Sequence, residues 1–238
     1  MRIIHTLTFV FLFFFNGGLS AQEIIEKQVR AVSLGASIES LALLSDTGAV
    51  DISVPKGRRS DAYLYAGSSN LKLIKQGTYI PDGPLPPVVA QAYIPECYKR
   101  PLLIFTEDNG NNAIIVIEDD MSRFSGNGVL FANMTPYRVA LVFGDDLDER
   151  ISLESVEMKV HEFDESSVNV RVRAATQVGG ELFRALDTRL FPNPQTRDIY
   201  FIYSNPRKGE GAVSIRTLRE NILTAQLVYR DPGVPNAE

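Results

Sequence analysis

The chain contains no tryptophan, one cysteine and two histidines in 238 residues, and each shortage excludes something. With Cys97 alone, no disulfide can close within the chain. A zinc site built from Cys and His clusters needs more ligands than Cys97, His5 and His161 supply. Ser–His–Asp and Cys–His mechanisms need a positioned base, and once an N-terminal leader is removed only His161 remains to act as one. No Gly-x-Ser-x-Gly nucleophile elbow occurs. Without tryptophan, an aromatic platform for sugars would rest on Tyr63, Tyr65, Tyr200 and Tyr203, residues that a β core also takes up readily. The formal net charge is −5, which gives no electrostatic footprint for nucleic acid.

The first residues read as a secretory signal peptide over 1–21. Arg2 supplies the positive end, Leu7 to Phe15 the apolar run, and Gly17-Gly18-Leu19-Ser20-Ala21 the small-residue cleavage region. The apolar run is shorter than the ~20 residues of a membrane span. Nothing later is apolar enough to span either, so the mature chain, beginning near Gln22, is expected to be exported, periplasmic or extracellular, with no membrane span. No cysteine follows the leader, which argues against a lipid anchor. Cys97 is expected as a small buried or half-buried side chain.

Beyond the leader the pattern has the period of strands. Gln28–Ser33, Ser40–Leu44, Val50–Val54, Ala62–Tyr65, Leu71–Ile74 and Val88–Ile94 are short β candidates punctuated by Gly, Pro and Asn. Gly77 to Pro87, with Pro81, Pro84, Pro86 and Pro87, reads as a loop because proline removes backbone donors. A hairpin follows, Pro101–Thr106 with Ala113–Glu118. Strand patterns resume after Ser125-Gly-Asn-Gly128 and close on a second hairpin, Asp198–Tyr203 with Ala212–Thr217. A helix over Ser152–Glu162 and a last strand over Ile222–Tyr229 are secondary options, and the tail from Asp231 reads as frayed. No segment sustains a long 3.6-residue period.

The two halves overlay. Leu41–Leu44 falls on Val139–Val142, Asp51–Val54 on Arg150–Leu153, Ile94-Pro95 on Phe191-Pro192 and Arg100 on Arg197, at offsets of 97 to 99 residues. A period near a hundred residues suits tandem domains rather than a solenoid. The expectation is therefore an all-β protein of two tandem β-sandwich, immunoglobulin-like domains, 27–122 and 126–230, with a flexible tail over 231–238. The overlay aligns Val213 and Ile215 with Ile114 and Val116 on the core face. On the other face Ile115 and Ile117 stand where the second copy has Ser214 and Arg216. An apolar outward face is normally covered, so Ile115 and Ile117 are expected to contact the other domain or a partner.

No catalytic, cofactor-binding or metal-binding residue is assigned. Acid clusters at Asp119-Asp120, Asp145–Glu149 and Glu162–Glu165 could furnish a glycosidase pair only if two carboxyls sit at the required separation. Asp108-Asn-Gly-Asn-Asn112 and Asp145–Asp148 offer oxygen ligands without the complete twelve-residue calcium loop. The loop matching the first, Asn205–Gly211, is basic.

A signal peptide followed by two diverged β repeats resembles uncharacterised secreted bacterial proteins, a likeness that implies no activity. Phe131-Ala-Asn133-Met-Thr135-Pro136-Tyr137 is similar to a strand of the periplasmic pilus chaperones, which are exported pairs of immunoglobulin-like domains. Their basic cleft residues find no match here, so no functional residue is carried over. The expected function is an exported, non-enzymatic binding or assembly protein of the bacterial cell envelope. Its partner would be an envelope protein or a glycan, with no cofactor and no nucleic acid. The alternatives are a pilus-chaperone-like factor and a secreted glycan-binding or glycan-active protein.

Overall fold

A computed structural model describes residues 24–108, 111–120, 128–144, 149–164, 169–205 and 208–223, without the side chains of 107–112. The expected leader, the tail from Asp231, both calcium-like loops in their central residues and most of the Ser125–Gly128 boundary lie outside them. The described residues are all β. The first eight strands are β1 (Ile24–Ser33), β2 (Ile38–Ser45), β3 (Gly48–Val54), β4 (Tyr63–Ser68), β5 (Asn70–Lys75), β6 (Val88–Tyr93), β7 (Pro101–Asp108) and β8 (Asn111–Glu118). The second eight are β9 (Gly128–Asn133), β10 (Arg138–Phe143), β11 (Glu149–Leu153), β12 (Met158–Glu162), β13 (Val170–Val178), β14 (Glu181–Leu190), β15 (Thr196–Ser204) and β16 (Val213–Asn221).

They form four sheets with one topology used twice. Order β4-β1-β7-β8 faces order β3-β2-β5-β6 in the first unit; β12-β9-β15-β16 faces β11-β10-β13-β14 in the second. In each unit the first strand pairs parallel with the seventh, and the other ladders are antiparallel. Alternating apolar residues from both sheets fill each sandwich. Leu43, Leu71, Leu73, Leu103 and Phe105 meet in the first, and Phe131, Leu141, Phe143, Val172 and Tyr200 in the second. The repeat is thus a repeat of fold.

Ladder register corrects three alignments. With Leu41 on Val139, their partners put Ile52 on Leu153, not on Ile151. With Leu73 on Ala174, Ile94 falls on the buried Leu190, not on the exposed Phe191. The third is the hairpin. Pro101 pairs with Glu118 and Asp198 with Arg219, so with the first hairpin strands 97 apart the second strands are 101 apart. A two-residue slip leaves every side chain on its face. Ile114 and Val116 do pack on the core, as do Val213 and Ile215. The counterparts of Ile115 and Ile117, however, are Arg216 and Leu218. Sequence alignment missed this because the difference in length is hidden in a turn.

The helix option over Ser152–Glu162 is not realised. Those residues end β11, turn at Ser155-Val156 and form β12. Val156 takes a positive φ of 61°, and the Asn133 amide holds the carbonyls of Leu153 and Glu154. Both features break a helical ladder. Of the proposed last strand, only Ile222 and Leu223 are described, and they begin a helical turn. The β5–β6 and β13–β14 connections also differ. Repeat 1 uses the proline-rich loop, whereas repeat 2 uses a tight turn on Gly179-Gly180, whose φ values of 58° and 92° suit glycine at both hairpin positions.

The two units meet through the outer faces of β1, β7, β8 and β9, β15, β16. Val32, Leu34, Leu102, Ile104 and Ile117 pack with Leu130, Ala132, Ile199, Phe201 and Leu218 in one buried cluster, and Ile115, Met134 and Met158 border it. By ladder position, Leu102, Ile104 and Ile117 correspond to Ile199, Phe201 and Leu218. The same patch is used on both sides, as in an isologous dimer.

One end of this interface is closed by charge. Arg197, with a side chain 0% exposed, donates to both Asp119 carboxylate oxygens at 3.0 and 3.1 Å and to Glu220. Arg59 holds the same Asp119 bidentately at 2.9 Å, and Arg30 reaches Glu220 at 3.0 Å. Asp119 and Glu220 occupy equivalent places opposite Arg100 and Arg197 in their hairpins. The two acids of the two repeats thus converge on one guanidinium.

Removing one member of a buried ion cluster strands the others without compensation. Asp119→Asn should lower unfolding free energy by about 3–5 kcal/mol, measured by urea denaturation. A loss below about 1 kcal/mol would place the pair in the class of exposed surface bridges.

Candidate functional site

The opposite end of the interface is open, and its walls are built twice by one device. After β1, Leu34 N donates to Phe105 O at 2.9 Å; after β9, Met134 N donates to Ile202 O at 2.8 Å. Each bond extends a parallel ladder by one step. In both repeats the last strand residue then turns the chain with its side chain. Ser33 Oγ accepts from Gly35 N at 3.1 Å, and Asn133 Oδ1 accepts from Thr135 N at 3.0 Å.

Asn133 does more than its counterpart. Its buried amide donates to the carbonyls of Tyr137, Leu153 and Glu154, and Thr135 Oγ1 donates back to Asn133 Oδ1 at 2.8 Å. The Asn-x-Thr-Pro-Tyr segment is therefore a clamp that joins the β9–β10 turn to the β11–β12 turn. It positions Met134 and Pro136 rather than presenting polar groups to a ligand.

Between these turns and the two hairpins lies a cavity of about 530 Å³. Leu34, Ile115 and Met134 supply its apolar surface, and Thr106, Tyr203, Ser204 and Arg216 its polar groups. Its size falls within the ~300–1,000 Å³ of small-molecule sites. Arg216 Nε donates to Tyr203 Oη at 3.2 Å, with the guanidinium 5.1 Å from the ring centroid. Stacking on the tyrosine holds this cation in place. Because Arg216 stands where repeat 1 has Ile115, the cleft is apolar on one wall and cationic on the other. That arrangement accommodates an apolar body carrying an anionic group.

The residues singled out from the sequence are dispersed. Among the four tyrosines only Tyr203 reaches the cleft. Tyr65 is buried and donates to Ser68 O at 2.7 Å. Tyr200 is buried beside Asp198, and burial first, then that carboxylate, holds its hydroxyl far above the ordinary range. Tyr63 Oη accepts from Ser53 N at 2.9 Å. Asp119 belongs to the ion cluster, and Asp145–Asp148 lies outside the described residues. Among the described residues no three His, Cys, Asp or Glu side chains gather as a metal site. Cys97, expected at least half-buried, is exposed in the segment between β6 and β7. A turn-rich connection offers it no core to enter.

His161 lies in an aromatic cluster. Its ring stacks on Phe143 at 4.3 Å between centroids and meets Phe163 edge-on at 4.5 Å. It is buried, its Nε2 makes no hydrogen bond, and Glu149 is 3.5 Å away. Desolvation lowers its pKa below the ordinary value, against the opposing pull of Glu149 and Glu162. Burial thus favours the neutral ring, whose faces pack on phenylalanine and not on a nucleophile. Leu34 and Met134 carry no sequence signal for a site because neither belongs to a reactive type. The only sequence signal was the mismatch between hairpins.

A depressed folded-state pKa means the unfolded chain binds the proton more readily. The contribution of His161 is complete above the unfolded value, near 6.5, and is lost as pH falls from there through the lower folded value. His161→Phe should flatten the stability profile across that interval, as measured by urea midpoints over a pH series. An unchanged slope would show that other groups set the acid response.

No protein-family model matches the chain, and no curated protein matches it in sequence.

Proposed function

We propose that the chain is an exported, non-enzymatic binding protein of the bacterial cell envelope that holds an amphipathic anion in the cleft between its repeats. The observation that carries this reading is the cleft itself: about 530 Å³, apolar through Leu34, Ile115 and Met134, with Arg216 fixed on Tyr203. Export rests on the leader pattern of residues 1–21. The two end hairpins supply Thr106, Ile115, Tyr203 and Arg216 from strands, and the turns that carry Leu34 and Met134 are tied to those hairpins by backbone hydrogen bonds, so little ordering is needed on binding. The apolar body of a ligand would be desolvated against Leu34 and Met134, while its anionic group would reach the guanidinium. Tyr203 already accepts from Arg216 Nε, which leaves the other guanidinium nitrogens to meet an acceptor.

The probe that matches this description is 1-anilinonaphthalene-8-sulfonate, an aromatic body with one sulfonate. The mature protein should enhance its fluorescence saturably. Arg216→Glu should weaken binding about tenfold or more, since a charged hydrogen bond is replaced by like-charge repulsion. Thr106→Trp should block the cleft without touching either core. Equal binding by wild type and both variants would remove the cleft as the site.

A further inference from the structure

The outer face of repeat 2, away from the cleft, concentrates arginine, of which Arg138 pairs with Glu154 at the edge and Arg189 donates to Asn169. On the solvent side of β11-β10-β13-β14, ladder positions place Arg150, Arg138, Arg171, Arg173, Arg184 and Arg189 on one surface. Asp187 is the one acid at the described outward positions of these strands. The equivalent strands of repeat 1, β2, β3, β5 and β6, contain no arginine at all. The chain as a whole is acidic, at −5. Arg171 and Arg189 even stand directly opposite one another, a like-charge pairing that weakens an antiparallel ladder.

A bulge shapes this face into a groove. Ala174 pairs with Leu186 and Ala175 with Arg184, so Ala185 is passed over in the ladder. In a regular strand, residues three apart point to opposite faces. The extra residue brings Arg184 and Asp187 to the same side, where they form an ion pair at 2.6 Å. Around the bulge is a hollow of about 540 Å³ floored by Val142, Ala174 and Ala175, edged by Arg171, Arg173 and Arg184 and closed at one end by the exposed side chains of Leu182 and Phe183.

Asp187 shows what the groove recognises. Arg171 grips its carboxylate bidentately at 3.0 and 2.7 Å, and Arg184 adds a third bond. The hydrogen bond from Arg171, followed by the charges of Arg171, Arg184 and Arg173, pulls the Asp187 carboxyl down to about 2, so it stays ionised. Arg173 lies directly across the ladder from Asp187 and makes no hydrogen bond or ion pair among the described residues. Three guanidiniums thus surround one carboxylate.

We propose that this face binds a carboxylate-bearing polysaccharide, a polyuronate, with Arg173 and Arg184 as its principal contacts. The planar fork of arginine matches a carboxylate, and the Arg171–Asp187 pair displays that match within the site. The arginines extend over all four strands, a span of about 14 Å at the usual strand spacing, so the surface suits a polymer better than a single small anion. Single-stranded nucleic acid is gripped through successive aromatic stacking platforms, and Phe183 is the one aromatic residue that lines the hollow, too few to stack a run of bases. Bound carboxylates would also relieve the Arg171–Arg189 repulsion.

The test is affinity electrophoresis of the mature protein in gels containing polygalacturonate, with neutral dextran, heparin and single-stranded DNA as separate arms. Polygalacturonate should retard the protein, dextran should not, and added salt should reverse the retardation. Arg173→Gln and Arg184→Gln should each weaken binding about tenfold; circular dichroism verifies that both fold. Arg216→Glu should leave it unchanged, which keeps this outcome separate from that of the cleft. Failure of polygalacturonate to retard the protein at low salt would overturn the proposal. So would equal retardation of wild type and both arginine variants. Heparin or DNA binding as tightly as polygalacturonate would also overturn it, by showing a general response to polyanions.

Discussion

Every larger feature of this molecule depends on the docking of two like sheet faces. The apolar part of that docking is non-directional and would tolerate sliding of one sandwich over the other. The cluster at its closed end does not. Arg197 lies between Asp119 of one repeat and Glu220 of the other, and displacing either acid would leave buried charge uncompensated. Apolar area thus supplies the attraction and the guanidinium fixes the register. With one end pinned, the opposite end becomes a cleft of defined width.

Fold duplication with local divergence explains where the specialised surfaces lie. Positions that serve both sandwiches alike stay apolar in both copies, as with Leu102 and Ile199 or Ile117 and Leu218. Divergence collects where a side chain leaves the shared scheme. Arg30 occupies the place of Leu130 and brings charge to the closed end. Arg216 occupies the place of Ile115 and brings a cation to the open end. The β5–β6 loop of repeat 1 becomes a two-glycine turn in repeat 2; the bulge that follows is common to both repeats, and the arginines around it are not.

Much of the fold was legible because the strands are short, alternating and separated by strong turn residues. The all-β class, the two sandwiches and the hairpin at the end of each repeat follow from that pattern. Burial of Ile115 and Ile117 against the other repeat also follows the logic of an apolar outward face. Other features were not legible. The helix option at Ser152–Glu162 failed because Asn133, a residue of another strand, captures the carbonyls there. The two-residue slip in the second hairpin was invisible because alternation repeats every two residues. Of the cleft only the Ile115 face and its mismatch with the second hairpin were legible, since Leu34, Ile115, Met134 and Arg216 come from four separate segments of chain.

The sequence by itself determined the strand pattern, the doubling of the fold and the scarcity of reactive side chains. Those are properties of neighbours along the chain, and local sterics with period-two alternation express them directly. Only the tertiary structure decided that Arg30, Arg59 and Arg197 meet Asp119 and Glu220. It alone also set Arg216 facing Ile115 and turned Arg184 to the side of Asp187. Each of these depends on how sheets stack or where one ladder skips a residue, and a charge gives no sign in sequence of which distant charge it will meet.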